Sequence, residues 1–288
     1  MPGDMGHAVG SVLREHGYDV VSCLGGRSER TCKLAMAAGI GDTESLATLV
    51  SQVDMILSIL PPASALGQAK AVAAAMAETG SMPVYVDCNA VSPQTVVEVG
   101  HTITTAGAAF IDAGIIGLAP GKGPTTRFYV SGRDLEPMTS LNDKGIEVIS
   151  LGSEIGRASS LKMAYAGLTK GTWTLHTAVL LAAQQLGVLR ELLDELSFSQ
   201  SGALSAMQNR IPQLPADSGR WVGEMEEIAA TFAGAGLPTG FHEGAAEIFK
   251  VLSKSPFASE TRETMDASRS LEAALFDYAR YLPKSNLR

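Results

Sequence analysis

The stretch "GDMGHAVGSVLREHG" (residues 3–17), followed by "YDVVSCLGGRSERT" (18–31), decides the fold. Gly3 and Gly6 occupy the second and third places of a G-x-G-x-x-G turn, and Met1 stands where the first glycine belongs. In such a turn the second glycine lets backbone approach a pyrophosphate. The third lets the following helix pack on a sheet, and the helix N-terminus favours an anion. Two glycines alone describe a simple helix-capping turn equally well, so the residues behind them carry the argument. A helical run is followed by a β-rich run at 18–24 and then by Arg27, Ser28, Arg30 and Thr31. A carboxylate at this strand end suits a ribose 2′-hydroxyl, whereas arginines and hydroxyls suit a 2′-phosphate. Glu29 comes one or two places late for the first role, so the loop predicts NADP in preference to NAD; the bland alternative is a solvated turn with Ser28 as a helix cap.

Working outward, short apolar runs alternate with alanine-rich helical runs up to about residue 150, the pattern of βαβ units and a parallel sheet. The strand candidates are 18–24, 55–60, 84–88, 108–114, 127–132 and 146–151. After about residue 152 strand runs cease, and helices are expected over 159–187, 190–210, 218–235, 238–253 and 259–281. The expected class is therefore α/β, with a sheet domain over 1–152 and an all-helical domain over 153–288. In a fold that carries this glycine turn, a strand precedes the turn and lies in the middle of the sheet. The expectation is that a strand of about 5–6 residues, with a short lead, belongs ahead of Met1.

The net charge of −8 leaves no basic stripe to neutralise a nucleic-acid backbone, so no nucleic-acid partner is expected. Three cysteines without a C-x-x-C pair, and an N-terminus with neither basic nor apolar leader character, fit a reducing cytoplasm. The uncharged window 171–189 is interrupted by Thr172, Thr174, His176, Thr177, Gln184 and Gln185, so it reads as a buried helix and no membrane partner is expected. The five histidines are isolated and no G-x-S-x-G occurs, so neither a metal site nor a serine nucleophile is expected.

The glycine turn, the arginine loop, "ILPP" (59–62), "VDCNAVSPQT" (86–95), "FIDAGIIG" (110–117) and a lysine on the first long helix occur in one order. In this the chain resembles the β-hydroxyacid dehydrogenase family, which includes 3-hydroxyisobutyrate and 6-phosphogluconate dehydrogenases and, more distantly, imine reductases. The likeness covers nearly the whole chain. Its second half, with "KMAYAGLTKG" and "RWVGEMEEIAATF", is most similar to the branch whose C-terminal domain has no assigned function.

The resemblance implies a Rossmann-like domain followed by a helical domain that forms a homodimer, with the helix 171–189 as a seam. It implies hydride transfer between a nicotinamide and a hydroxyl-bearing carbon of a small-molecule substrate. Gly3, Asp4, Met5, Gly6, Arg27, Ser28 and Arg30 are the implied cofactor contacts, with Leu60, Pro61 and Pro62 beside its ribose and nicotinamide. Lys162 takes the place of the family's general acid and base; an exposed helical lysine is the plainer reading of that residue alone. Imine reductases usually carry Asp or Tyr there, so Lys162 argues against an imine-reducing enzyme.

Several positions depart from the family pattern. The Asn one helical turn after the lysine is Ala166, with Tyr165 and Thr169 nearby to offer hydroxyls. The D-x-S-T turn reads Asp87-Cys88-Asn89-Ala90, and S-G-G reads Ile116-Gly117-Leu118. The lysine of a K-D-L segment is Gly223, with Glu224 in the acidic place. His242 and Glu243 begin a late helix, where His242 either lines the substrate site or packs. Polar contacts have thus become apolar, which predicts a substrate bulkier or less polar than a small hydroxy acid. Loss of the Asn also leaves open a cofactor-binding protein without turnover.

Overall fold

The computed structural model describes residues 2–261 and 263–283. The chain forms two compact units, Met1–Met163 and Ala164–Arg288. The boundary expected at 152/153 lies just ahead of a long helix, whereas the units part within that helix.

In the first unit the elements run α1 (Asp4–Glu15), β1 (Val21–Ser22), α2 (Glu29–Ala37), β2 (Gly41–Asp42), α3 (Leu46–Gln52), β3 (Met55–Ser58) and α4 (Ala65–Thr79). They continue as β4 (Val84–Asp87), α5 (Pro93–Thr105), β5 (Phe110–Ile116), β6 (Thr126–Ser131), the short α6 (Glu136–Thr139) and β7 (Ile146–Ser150). Ser28, Ser45 and Ser92 start α2, α3 and α5 by accepting the amide three residues on, which satisfies one orphan donor at each helix end. Gly80, in the left-handed region at φ 72°, stops α4.

The strands form a two-stranded parallel pair, β1-β2, and a five-stranded sheet in the order β3-β4-β5-β6-β7. β3, β4 and β5 are parallel, but β6 pairs antiparallel to β5, with β7 parallel to β6. The all-parallel expectation is therefore corrected at this edge. The connection 117–125 carries no helix, and a parallel neighbour needs a crossover.

Alternate residues of β4 point to opposite faces, which separates two cores. Tyr85 packs with Val72 and Met76 of α4 and Val99 and Ile103 of α5. Val86 packs with Val9 and Leu13 of α1 and with Ile111, Phe128 and Ile146. Each such large apolar side chain contributes about 1.5–3 kcal/mol by leaving water.

Helix α7 (Arg157–Gln185) begins in the first unit and continues into the second, which adds α8 (Leu189–Ser199), α9 (Ser201–Arg210), α10 (Pro215–Gly234), α11 (Gly240–Leu252) and α12 (Leu271–Tyr278). Two helical expectations are corrected. The run 190–210 is broken at Gln200, and 259–281 yields only α12 between short 3-10 turns. In that second stretch Thr264 accepts the Thr261 amide and Asp266 accepts the Ser268 amide, local bonds that compete with helix until Ser270 caps α12. Among the described residues no helix is long and apolar enough to cross a membrane.

Candidate functional site

Gly3 is the N-cap of α1 and brings no side-chain bond, so the amides of the first turn face outward without a capping hydroxyl or carboxylate. Asp4 opens the helix, Met5 packs against the α1-side core, and Gly6 lines a cavity beneath the turn. Met1 lies outside the described residues. The turn at the end of β1 is closed by the Arg27 amide donating to the Leu24 carbonyl at 3.0 Å, and Ser28 caps α2 through the Thr31 amide at 3.2 Å. Arg30 reaches back to the glycine turn, its Nη2 donating to Asp4 Oδ1 at 2.6 Å. The two predicted cofactor segments are thus brought together. A helix N-terminus without a side-chain cap, with Arg30 reaching it from the turn that also carries Arg27 and Ser28, is a donor set that fits a nucleotide's phosphates.

The third segment, Leu60-Pro61-Pro62, is fixed from below. Asn89 Oδ1 accepts the Leu60 amide at 2.5 Å, while its Nδ2 donates to Ser58 Oγ at 3.1 Å and Asp87 Oδ2 at 2.9 Å. Asn89 is buried, and these internal partners engage both ends of its amide. Asp87 also accepts the Asn89 backbone amide at 2.9 Å. Burial outweighs these bonds and, with the nearby Asp112 charge, pushes the Asp87 carboxyl up to about 7.

Asp112, the register partner of Asp87 on β5, does a different job. Its Oδ2 accepts from Ser131 Oγ and from the amides of Gly156, Ala158 and Ser159 at 2.9–3.2 Å, and its Oδ1 from Ser159 Oγ at 2.7 Å. The carboxylate therefore caps α7, although burial still raises its pKa. Two residues on, Gly114 lets α7 lie directly on β5: a Cβ there would come 2.8 Å from the Ala158 carbonyl oxygen and 3.0 Å from Lys162 Cβ. So seated, Lys162 donates through Nζ to the Ile115 carbonyl. Ile116 ends the strand, and Gly117 turns the chain at φ +118°. The structure thus brings Lys162, Ile116 and Gly117 together. Asp112 and Gly114 were not singled out from the sequence, because their partners on α7 lie more than forty residues away.

The remaining predicted residues lie in the second unit. Tyr165 is exposed on α7. Thr169 Oγ1 bonds back to the carbonyls of Tyr165 and Ala166, both at 3.2 Å. His242 is buried, edge-on to Phe232 and Phe241 with ring centroids 4.2 and 5.2 Å away. Gly167 and Gly171 of α7 face its ring, and burial lowers its pKa. A cluster that the sequence did not signal surrounds Glu224: Lys170 at 2.8 Å and Arg220 at 2.5 Å share its carboxylate beside Trp221.

Comparison with known proteins places these features. Residues 2–136 match the NAD binding domain of 6-phosphogluconate dehydrogenase, and residues 183–252 match a domain of unknown function (DUF1932). An uncharacterized 28.5 kDa protein of Methanothermus fervidus is 32% identical over 178 residues, 62% of this chain and 67% of its own. A conserved protein of unknown function, described as structurally similar to 3-hydroxyacid dehydrogenases, superposes with a TM-score of 0.62 at 30% identity, covering 87% of this chain and 94% of that one. The 3-hydroxyisobutyrate dehydrogenase of Mycobacterium tuberculosis shares the fold at a TM-score of 0.64 and 17% identity, covering 96% of each chain. The chain belongs to the 6-phosphogluconate dehydrogenase-like family in which this NAD-binding domain is joined to that C-terminal domain of unknown function.

Proposed function

We propose that the protein is an NADP-dependent oxidoreductase acting on a hydroxyl-bearing carbon, with Lys162 as its general acid and base. The seating of Lys162 carries the reading. A lysine held at the end of β5 by a carbonyl, over a glycine that admits its helix, and next to a strand-end loop is placed for proton exchange rather than for solvation. When bound, the nicotinamide supplies or accepts the hydride. Lys162 holds and moves the proton at the substrate oxygen. Gly3, Asp4, Met5, Gly6, Arg27, Ser28 and Arg30 bind the nucleotide, and Arg27 and Arg30 give the preference for a 2′-phosphate. Asn89 acts as a positioning residue for Leu60-Pro61-Pro62 rather than as a substrate contact, because its amide is engaged internally.

Ile116 and Leu118 stand where the family has a polar turn, which supports a bulkier or less polar substrate. An apolar wall does not reward a small, highly charged hydroxy acid. Tyr165, Leu168, Leu175, Val179 and Leu186 form an exposed stripe at alternating spacings of three and four or their sum, the pattern of a helix seam, which supports a homodimer through α7.

The test is calorimetric titration with NADPH and NADH, followed by a panel of hydroxy compounds scored for NADPH production, in wild type and Lys162→Ala. The proposal expects NADPH to bind more tightly and Lys162→Ala to keep that affinity while losing turnover, typically by 10²-fold or more. A cofactor-binding protein without turnover would bind NADPH and turn over nothing in the panel. If neither nucleotide binds, the oxidoreductase reading fails.

A further inference from the structure

β4 ends on a carboxylate sealed from solvent. Asp87 is fully buried, and its register partners are Ser58 on β3 and Asp112 on β5. Among the described residues, its hydrogen bonds come from Asn89 alone: the backbone amide donates to Oδ1 and Nδ2 to Oδ2, both at 2.9 Å. The two oxygens are therefore not equivalent. A backbone amide cannot turn round, so Oδ1 is kept as an acceptor. Oδ2 faces a side-chain amide, which can rotate by half a turn and present its oxygen in place of its nitrogen.

The orientation of that amide is read at its far end. The Leu60 N–H donates to Asn89 Oδ1 at 2.5 Å, so oxygen faces Leu60 while Nδ2 faces Ser58 and Asp87. With Asp87 ionised, every bond in this network is matched. A proton on Oδ2 sets a donor against the Nδ2 donor. If Asn89 stays in place, the buried hydroxyl lacks an acceptor, at a cost of about 1–3 kcal/mol. If the amide turns, Oδ1 accepts from the Asp87 and Ser58 hydroxyls, but Nδ2 then opposes the Leu60 N–H and that bond is lost.

Two buried carboxylates on neighbouring strands resist being ionised together. Asp112 has five donors on its oxygens, and a proton there would displace one of them; Asp87 has only the two from Asn89, so the proton goes to Asp87. Burial and the Asp112 charge accordingly raise the Asp87 carboxyl to about 7. The other titratable groups that act on it, Tyr85 and Cys88 of its own strand, are pushed up by burial and stay neutral in this range, and Ser58 does not titrate.

We propose that Asp87 is a positioning residue that controls the Leu60-Pro61-Pro62 segment through one proton: ionised Asp87 holds Asn89 as a latch on the Leu60 amide, and protonated Asp87 reverses Asn89 and opens the latch. The inference rests on the reading of this segment as a cofactor contact, by which NADPH binds the latched form more tightly and its affinity rises with pH.

The test follows hydrogen exchange at the Leu60 amide of the unliganded 288-residue protein, and NADPH affinity by calorimetry, between pH 6 and 8. With a midpoint at about 7, the latched fraction climbs from about one-tenth to about nine-tenths, so Leu60 protection and NADPH affinity should each rise about 10-fold in wild type. In Asp87→Asn, whose side chain does not ionise, Leu60 protection should stay low throughout, and NADPH binding should keep only the pH dependence of the ligand's own 2′-phosphate. Asn89→Ala removes the latch itself and should lower Leu60 protection at pH 8 by the same factor, a check independent of how Asp87→Asn folds. Leu60 protection that is flat with pH in wild type, or that rises equally in Asp87→Asn, overturns the proposal. So does an NADPH affinity that follows one pH curve in both proteins. If neither nucleotide binds, the oxidoreductase reading fails, and exchange at Leu60 still decides whether the latch exists.

Discussion

Replacing Gly114 by alanine tests how Lys162 is placed. The new Cβ would sit 2.8 Å from the Ala158 carbonyl oxygen and 3.0 Å from Lys162 Cβ. Carbon contacts are comfortable at about 3.5–4.0 Å, so the first turns of α7 must withdraw by roughly half an ångström or more. The obstacle on one side is helix backbone, which cannot swing aside as a side-chain end does. Overpacking of this kind costs about 1–3 kcal/mol. At about 2–4 °C per kcal/mol for a protein of this size class, Tm should fall by about 2–12 °C. Under the proposed function a displacement approaching 1 Å also lowers kcat by up to about 10²-fold, while NADPH affinity, set at the glycine turn and arginine loop, stays close to wild type. The assay is thermal denaturation with steady-state kinetics and calorimetry on Gly114→Ala, beside Gly219→Ala as a control. Gly219 lies inside α10 with nothing within 4 Å of its virtual Cβ, so alanine there should gain roughly 0.5–1 kcal/mol. A Gly114→Ala protein with wild-type Tm and kcat would refute the argument that this contact sets the lysine.

Three further outcomes are expected. The Asp87 carboxyl titrates higher in the folded chain, about 7, than its ordinary value of 3.8, so it favours the folded state below pH 4 and loses that contribution as pH rises to about 7. Urea denaturation of wild type should therefore lose stability between pH 4 and 7 relative to Asp87→Asn, by at most about 4 kcal/mol; parallel pH profiles would contradict this. Glu224→Ala should cost about 3–5 kcal/mol in urea because it leaves the buried Lys170 ammonium without its carboxylate, whereas Lys170→Ala should cost less because Arg220 still pairs with Glu224. Equal losses would refute that asymmetry. Finally, Leu168→Lys with Leu175→Lys should convert the proposed dimer to monomer in sedimentation velocity without lowering Tm of the monomer, since both side chains are exposed.

The parts of the fold that were legible from sequence are those with their own local pattern. Six strands were readable as continuous apolar runs because helices cover both faces of the sheet. β2 was not, because two residues, Gly41 and Asp42, carry no periodicity at all. The reversed direction of β6 was also hidden: a strand's apolar pattern is the same read either way, and only the helix-free connection 117–125 hinted at it. The over-long helix at 259–281 came from apolar spacing that ignored the Thr261 and Asp266 side chains competing for backbone amides. At the site, Lys162 and the arginine loop were found from their order along the chain. Asp112, Gly114 and the internal engagement of Asn89 were not, since each depends on a neighbour that only folding supplies.

The five donors on Asp112 also make the two ends of α7 unlike. A helix ordinarily frays from both ends, because its terminal backbone groups are held by few bonds. Here the amides of Gly156, Ala158 and Ser159 are gripped by a buried carboxylate, so the end that carries Lys162 is pinned to the sheet. The other end is closed by backbone alone: Gly187, at φ 75°, turns the chain so that the Val188 amide donates to the Ala183 carbonyl at 2.9 Å. The two ends of this 29-residue helix are thus held by different chemistry, a buried carboxylate beside Lys162 and a glycine turn at the far end, and protonation of Asp112 would loosen only the end that carries the lysine.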